Sequence, residues 1–242
     1  MQPPADLAFP NTWLGTDLAG EACALPSGHA ALDAQLPGGG WPVGSLVELL
    51  QDRPEAHAWQ LLLPCIAQTV QEKQGPVVLV GPPAVPFLPS LAARGLPADR
   101  LLWIRADKPA ARLWASEQAL RCADVVALVA WLPQVRVPEL RRLHLAARQH
   151  RKLLFVVRGT QAARQASPSP LRLVLDGIEH LQVRIVKRKG PPLETTLHLP
   201  AQAARMQALL ASRRRTTVPA PQPQTETTER RSHVLDRLVP HS

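Results

Sequence analysis

No stretch of the 242 residues reaches the ~18–20 uninterrupted apolar positions that cross a bilayer, so no membrane partner is expected. The opening Met1-Gln2-Pro3-Pro4-Ala5-Asp6 lacks a basic region followed by an apolar one, which argues against export. Cysteine is scarce: Cys23, Cys65 and Cys122 are odd in number, far apart and free of CxxC spacing. They form neither a disulfide framework nor a zinc site, so buried structural thiols, a cytoplasmic location and no metal are expected. Acid is in short supply, with 19 Asp+Glu against 28 Lys+Arg and a net charge of +9. Such a balance attracts polyanions or acidic protein surfaces, and an Arg-rich solvated surface is the plainer alternative. The 45% hydrophobic content excludes disorder throughout. At roughly 100–200 residues per domain, the length fits one main domain with an appendage.

Short apolar runs alternate with helical patterns through most of the chain. Residues 45–50, 76–80, 100–104, 125–130 and 153–157 are mostly apolar in succession and do not alternate, as strands buried on both faces require. Residues 56–72, 108–121 and 138–150 place apolar side chains at i, i+3 and i+4, with Pro138 in a first turn. A strand–helix–strand series of this kind builds a parallel sheet with right-handed crossovers. After Gly159 the pattern alternates, over 171–175, 181–189 and 195–199, with turn signals at Asp176-Gly177 and Lys189-Gly190-Pro191-Pro192. That predicts an antiparallel meander with one wet face, on which Arg172 and Arg184 share the polar phase. The expected fold class is α/β, a mostly parallel sheet flanked by helices with a C-terminal antiparallel extension. From 200 to 242 there are seven arginines against three acids, and 216–225 is rich in Pro, Thr and Gln. Such a stretch buries too little surface to offset its ordering entropy and is expected to be a flexible linker. The expected division is an N-terminal segment 1–24, a core domain 25–212 and a basic Pro-rich tail 213–242.

Around the first core strand, Gly28, Ala31-Leu32-Asp33, Leu36-Pro37-Gly38-Gly39-Gly40-Trp41-Pro42, Gly44 and Val47-Glu48-Leu49 follow in order. This resembles the entry to the core of RecA-type recombinases. A RecA-type ATPase continues into GxxxxGK[ST], whose amides, lysine and hydroxyl hold phosphates and magnesium. Here the loop is Gln51-Asp52-Arg53-Pro54-Glu55-Ala56-His57-Ala58, without glycine, lysine, serine or threonine. Asp52 and Glu55 put negative charge where a phosphate would sit, and Pro54 deletes an amide donor. The next strand ends Val80-Gly81-Pro82-Pro83 without an acid to activate water, and Leu128-Val129-Ala130-Trp131-Leu132 offers magnesium no carboxylate. The expected core is therefore RecA-like without a functional P-loop, with no catalytic residues, no bound nucleotide and no cofactor.

Further stretches narrow the resemblance. Thr12-Trp13-Leu14-Gly15, Arg100-Leu101-Leu102-Trp103-Ile104-Arg105, Leu113-Trp114-Ala115-Ser116-Glu117-Gln118, Ala130-Trp131-Leu132-Pro133, Leu140-Arg141-Arg142-Leu143-His144-Leu145 and Ser167-Pro168-Ser169-Pro170-Leu171 are similar to the ImuA family of translesion-synthesis-associated, SulA/RecA-like proteins. Ser232-His233-Val234-Leu235-Asp236-Arg237-Leu238 fits as well. The resemblance implies a non-catalytic accessory of a damage-induced (SOS) translesion complex, nucleoid-associated when active. Its implied partners are ImuB, an inactive relative of Y-family polymerases, and indirectly an error-prone polymerase III alpha-type subunit. Recombinase RecA is a further implied partner. A recombinase-filament regulator, a SulA-like cell-division inhibitor and a divergent ATPase are the competing readings.

Within the tail, Val234, Leu235, Leu238 and Val239 recur at helical spacing beside Arg231 and Arg237, the build of a tethered docking peptide. Phosphate contacts are sought at Arg164, Arg184, Lys187, Arg188, Lys189, Arg213, Arg214 and Arg215. The loop 159–170 has Arg164 as its sole charge and no aromatic for base stacking, so it supports DNA contact weakly. Lysines at a sheet end also discourage edge pairing, the competing explanation for 187–189. Trp41, Trp59, Trp103, Trp114 and Trp131 are expected in the core or at its rim with their indole N–H groups bonded. Trp13 is expected to pack on its own chain, with a groove on a second copy as the alternative.

Overall fold

The computed structural model describes residues 23–52, 57–177, 180–193 and 195–200. Trp13, Arg53, Pro54, Glu55, Ala56, Arg213, Arg214, Arg215, Arg231, Val234, Leu235, Arg237, Leu238 and Val239 lie outside the described residues.

The elements run β1 (Ala24–Leu25), α1 (Ala30–Asp33), β2 (Trp41–Pro42), β3 (Leu46–Leu50), α2 (His57–Lys73), β4 (Val77–Val80), α3 (Leu88–Ala93), β5 (Leu101–Ile104), α4 (Pro109–Arg121) and β6 (Ala127–Trp131). Then come α5 (Val137–His150), β7 (Leu153–Arg158), a 3-10 turn over Thr160–Arg164, β8 (Leu171–Asp176), β9 (Leu181–Lys187) and β10 (Thr196–Leu199). Eight strands form one sheet in the order β10-β9-β8-β3-β7-β6-β4-β5. β3, β4, β5, β6, β7 and β8 run parallel, and β9 runs antiparallel to both β8 and β10. The parallel sheet and its antiparallel extension are both as the apolar runs and the alternation foretold.

The two faces are covered separately. Val47, Leu49, Leu79, Val129, Phe155 and Leu173 pack under α1, α2 and α3. Leu46, Val78, Leu128, Leu154 and Val156 pack under α4 and α5. Alternate residues of one strand thus enter different cores, which is why these runs are apolar in succession, Glu48 of β3 excepted. Moving from β3 to β5 the connecting helices lie on the first face, and moving back through β6 to β7 they lie on the second. That is what right-handed crossovers demand when the chain reverses direction across a sheet. α5 starts at Val137-Pro138, its Glu139 carboxylate accepting the Arg136 N–H at 2.8 Å. It stops at Arg151, which is left-handed with φ +50°.

Three expectations need correction. Arg172 is not on a wet face: the segment 162–165 crosses that face and seals it, leaving the arginine 4% exposed. Farther out, at Asp176 on β8 and at Arg184 and Val186 on β9, the same face is open. Cys65 is buried, but Cys23 and Cys122 are exposed. Trp114, on α4, is 64% exposed. Trp41 is fully buried edge-on to Phe155, yet its indole N–H and those of Trp103 and Trp131 have no acceptor among the described residues.

Candidate functional site

Ligands of parallel sheets bind beyond the carboxyl ends of the strands, where neighbouring connections diverge. Here β4 leads outward to β5 while its neighbour β6 leads back to β7, so the crevice opens between β4 and β6. Arg112, from the first turn of α4, spans it. Its Nε donates to the Ala106 carbonyl at 2.6 Å and its Nη1 to the Trp131 carbonyl at 3.3 Å. Gly81, at φ +58°, lies directly beneath; a Cβ there would come within 2.7 Å of the guanidinium Nε. A side chain at this position would collide with the arginine and also strain the left-handed backbone. Arg112 thus bridges the mouth of the crevice and lines, with Leu132, the groove that continues along α4.

A second bridge lies at the exit of β3. Asp52 accepts the Thr160 hydroxyl at 2.6 Å and the Thr160 N–H at 2.9 Å. These two bonds, the hydroxyl foremost, hold its carboxyl below the usual range. Gln51 donates its N–H to the Arg158 carbonyl at 2.9 Å. The segments leaving β3 and β7 are thereby stitched together. His57 opens α2, and Ala58 is buried in its first turn.

Beside this seam lies a group that sequence reasoning missed. Glu48, with no solvent exposure, accepts from Arg158 Nη1 at 3.0 Å and from Arg172 Nε at 2.5 Å. Strand register sets this up: Arg172 is directly opposite Glu48, and Arg158 lies two residues beyond Glu48's partner Val156 on the other side. The remaining Arg172 donors go to the carbonyls of Ala162, Ala163 and Gln165, and Arg158 Nη2 reaches the Gln165 Oε1 at 2.7 Å. The signal was a lone carboxylate within a five-residue buried run, since a buried charge must be paired.

The phosphate candidates do not gather. Arg164 is exposed on the 3-10 turn, Arg184 is exposed on β9, and Lys189 is exposed just beyond that strand. Lys187 donates to the Ser167 carbonyl at 3.1 Å. Arg188 turns the other way, bonding the Gln35 carbonyl at 2.6 Å and the Pro191 carbonyl at 2.8 Å. Two of the five described candidates therefore spend donors on their own chain.

Fold and site together define a class: a parallel-sheet α/β protein whose carboxyl edge is bridged by its own side chains, at Arg112 and at Asp52–Thr160. No protein-family model matches the chain. It is similar to Protein ImuA of Caulobacter vibrioides, from strains NA1000/CB15N and ATCC 19089/CIP 103742/CB 15. Each is 32% identical over 176 residues, covering 69% of this chain and 70% of the relative. The chain belongs to the ImuA family.

Proposed function

We propose that this chain is a non-catalytic accessory of a damage-induced mutagenesis system. It binds ImuB and supports, at one remove, an error-prone polymerase III alpha-type subunit in translesion synthesis. The observation that carries the reading is the bridged edge of the sheet: Arg112 crosses the crevice and Asp52 is bound to Thr160. A phosphate brought to the exit of β3 would meet the exposed Asp52 carboxylate, and like charges about 4 Å apart in water repel by about 1 kcal/mol. Membership of the ImuA family supports the partner assignment. No helix among the described residues is long and apolar enough to cross a membrane, which fits action on soluble partners.

Two measurements test this. Titration of the full chain with ATP and magnesium is expected to give neither micromolar binding nor turnover; either one revives the divergent-ATPase reading. Affinity capture from damage-treated cells is expected to recover ImuB. Recovery of recombinase in its place would make the chain a filament regulator.

A further inference from the structure

The carboxyl ends of β6 and β7 and the start of α5 enclose a pocket of ≈ 530 Å³, lined by Arg158, Gln165, Val135, Val137 and Pro138. It opens into a groove of ≈ 930 Å³ between α4 and α5, the two sharing Pro133, Gln134, Val135 and Arg136.

Two properties of this surface are unexplained by anything it does for the fold. The first is charge. Among the described residues, Glu48 is the one carboxylate paired with Arg158 and Arg172, so the buried group holds one positive charge in excess. Arg158 Nε is buried and has no acceptor. Burying an uncompensated charge is costly, and an anion in the adjoining pocket would relieve it. Arg136, its side chain 82% exposed, stands at the mouth, and the first turn of α5 adds the positive end of a helix dipole. Glu139 offsets Arg136 and Glu117 offsets Arg142, and Asp107 also lines the groove, so the uncompensated charge rests on Arg172 and on Arg158, which lines the pocket. The second property is the exposed Trp114, which lies in the groove beside Leu113. A half-wet indole on a helix face is a costly thing to leave uncovered, and such residues anchor protein interfaces.

We propose that this surface binds an acidic peptide segment of a partner protein. A carboxylate faces Arg158 and Arg136 in the pocket, and an apolar side chain of the same segment lies on Trp114. The walls decide against nucleic acid: valines and prolines separate the cations of the pocket, and in the groove Lys108, Arg112, Arg136 and Arg142 are interspersed with Asp107, Glu117 and Glu139, which would repel a phosphate backbone. The chain's own tail has the wrong sign, with seven arginines to three acids over 200–242. The proposal rests on the accessory reading only in taking the occupant to be a protein.

The test is selection of a random dodecapeptide phage library on the immobilised full chain, in parallel with the exposed-site variant Trp114→Ala/Arg136→Glu. Far-ultraviolet circular dichroism and the urea midpoint establish that the variant is folded. Enriched peptides are expected to combine Asp or Glu with aromatic or aliphatic residues. A synthetic copy should bind the variant about tenfold or more weakly, and its Asn/Gln counterpart should lose as much on the unaltered chain. Enrichment without acidic residues, or equal binding by the variant, overturns the proposal. So does an oligothymidylate of about 25 nucleotides whose binding is lost in the variant, which makes the surface a nucleic-acid site. Capture of ImuB is scored separately on both proteins. Peptide selection that fails while ImuB is still recovered removes this surface and leaves the accessory role standing; selection that succeeds without ImuB does the reverse.

Discussion

At position 48 a carboxylate shut off from water serves two guanidinium groups, so the charge on one residue decides whether its neighbours are tolerated. Glu48→Gln is expected to lower stability by about 3–5 kcal/mol, because it strands two buried cations. Replacing Glu48, Arg158 and Arg172 together with Leu and Met should cost less than that single change, which urea unfolding of the two variants checks. His144 gives a residue-level pH dependence. Its Nδ1 accepts the Leu46 N–H at 3.0 Å, so the ring must be unprotonated there. Burial first, and Arg148 second, hold its pKa below the usual 6.5. A depressed folded pKa means the unfolded chain binds the proton more readily. The stabilisation is thus complete above the unfolded value and is lost as pH falls through the folded one. The urea midpoint should drop between neutral and mildly acid pH, and by less in His144→Gln, whose amide oxygen can accept the same bond. Burial likewise pushes the Cys65 thiol up to about 11. A thiol reagent at pH 8 should modify Cys23 and Cys122 promptly and Cys65 only on unfolding. None of these contacts was written in composition. Glu48 announced that it needed a partner, but two arginines from strands more than a hundred residues away supply it, and only register brings them there.

In α2 a proline sits mid-helix, and the fold has adapted around it. Pro64 has no N–H for the Gln60 carbonyl. The buried His29 lies against the Gln60 and Leu61 carbonyls, which offset part of the downward push that burial exerts on its pKa. Gly28, at φ +84°, is what lets the preceding loop approach, for a Cβ there would overlap the Pro64 ring. Gly28→Ala should therefore destabilise by about 1–3 kcal/mol through backbone strain alone, with the ring contact adding to it, as thermal unfolding would register. The three long helices were legible from apolar residues at i, i+3 and i+4, with Pro138 in a first turn, whereas the short α1 and α3 were not. Which side of β8 was wet was not legible. Alternation tells which residues share a face but not what crosses it, and the 3-10 turn that covers Arg172 is encoded in an unremarkable stretch of Thr, Gln and Ala.

Across the whole molecule, the parallel direction of the central strands followed from runs that had to be buried on both faces, whereas their order in the sheet came only from the structure. The carboxyl edge was legible only in what it lacks: the missing lysine and glycines could be read, whereas the crossing of Arg112 over Gly81 depends on strands distant in sequence. The 216–242 stretch, outside the described residues, carries its own expectation. Removing it should leave the urea midpoint unchanged and weaken capture of ImuB; undiminished capture would reject a tethered docking role for the tail. The way α5 ends has a practical outcome. Left-handed geometry costs an L-residue roughly 1–2 kcal/mol, of which the greater freedom of an unfolded glycine would reclaim about 0.5–1. Arg151→Gly should then raise the melting temperature by a few degrees, about 2–4 °C per kcal/mol at this size, giving a hardier specimen for crystallisation trials.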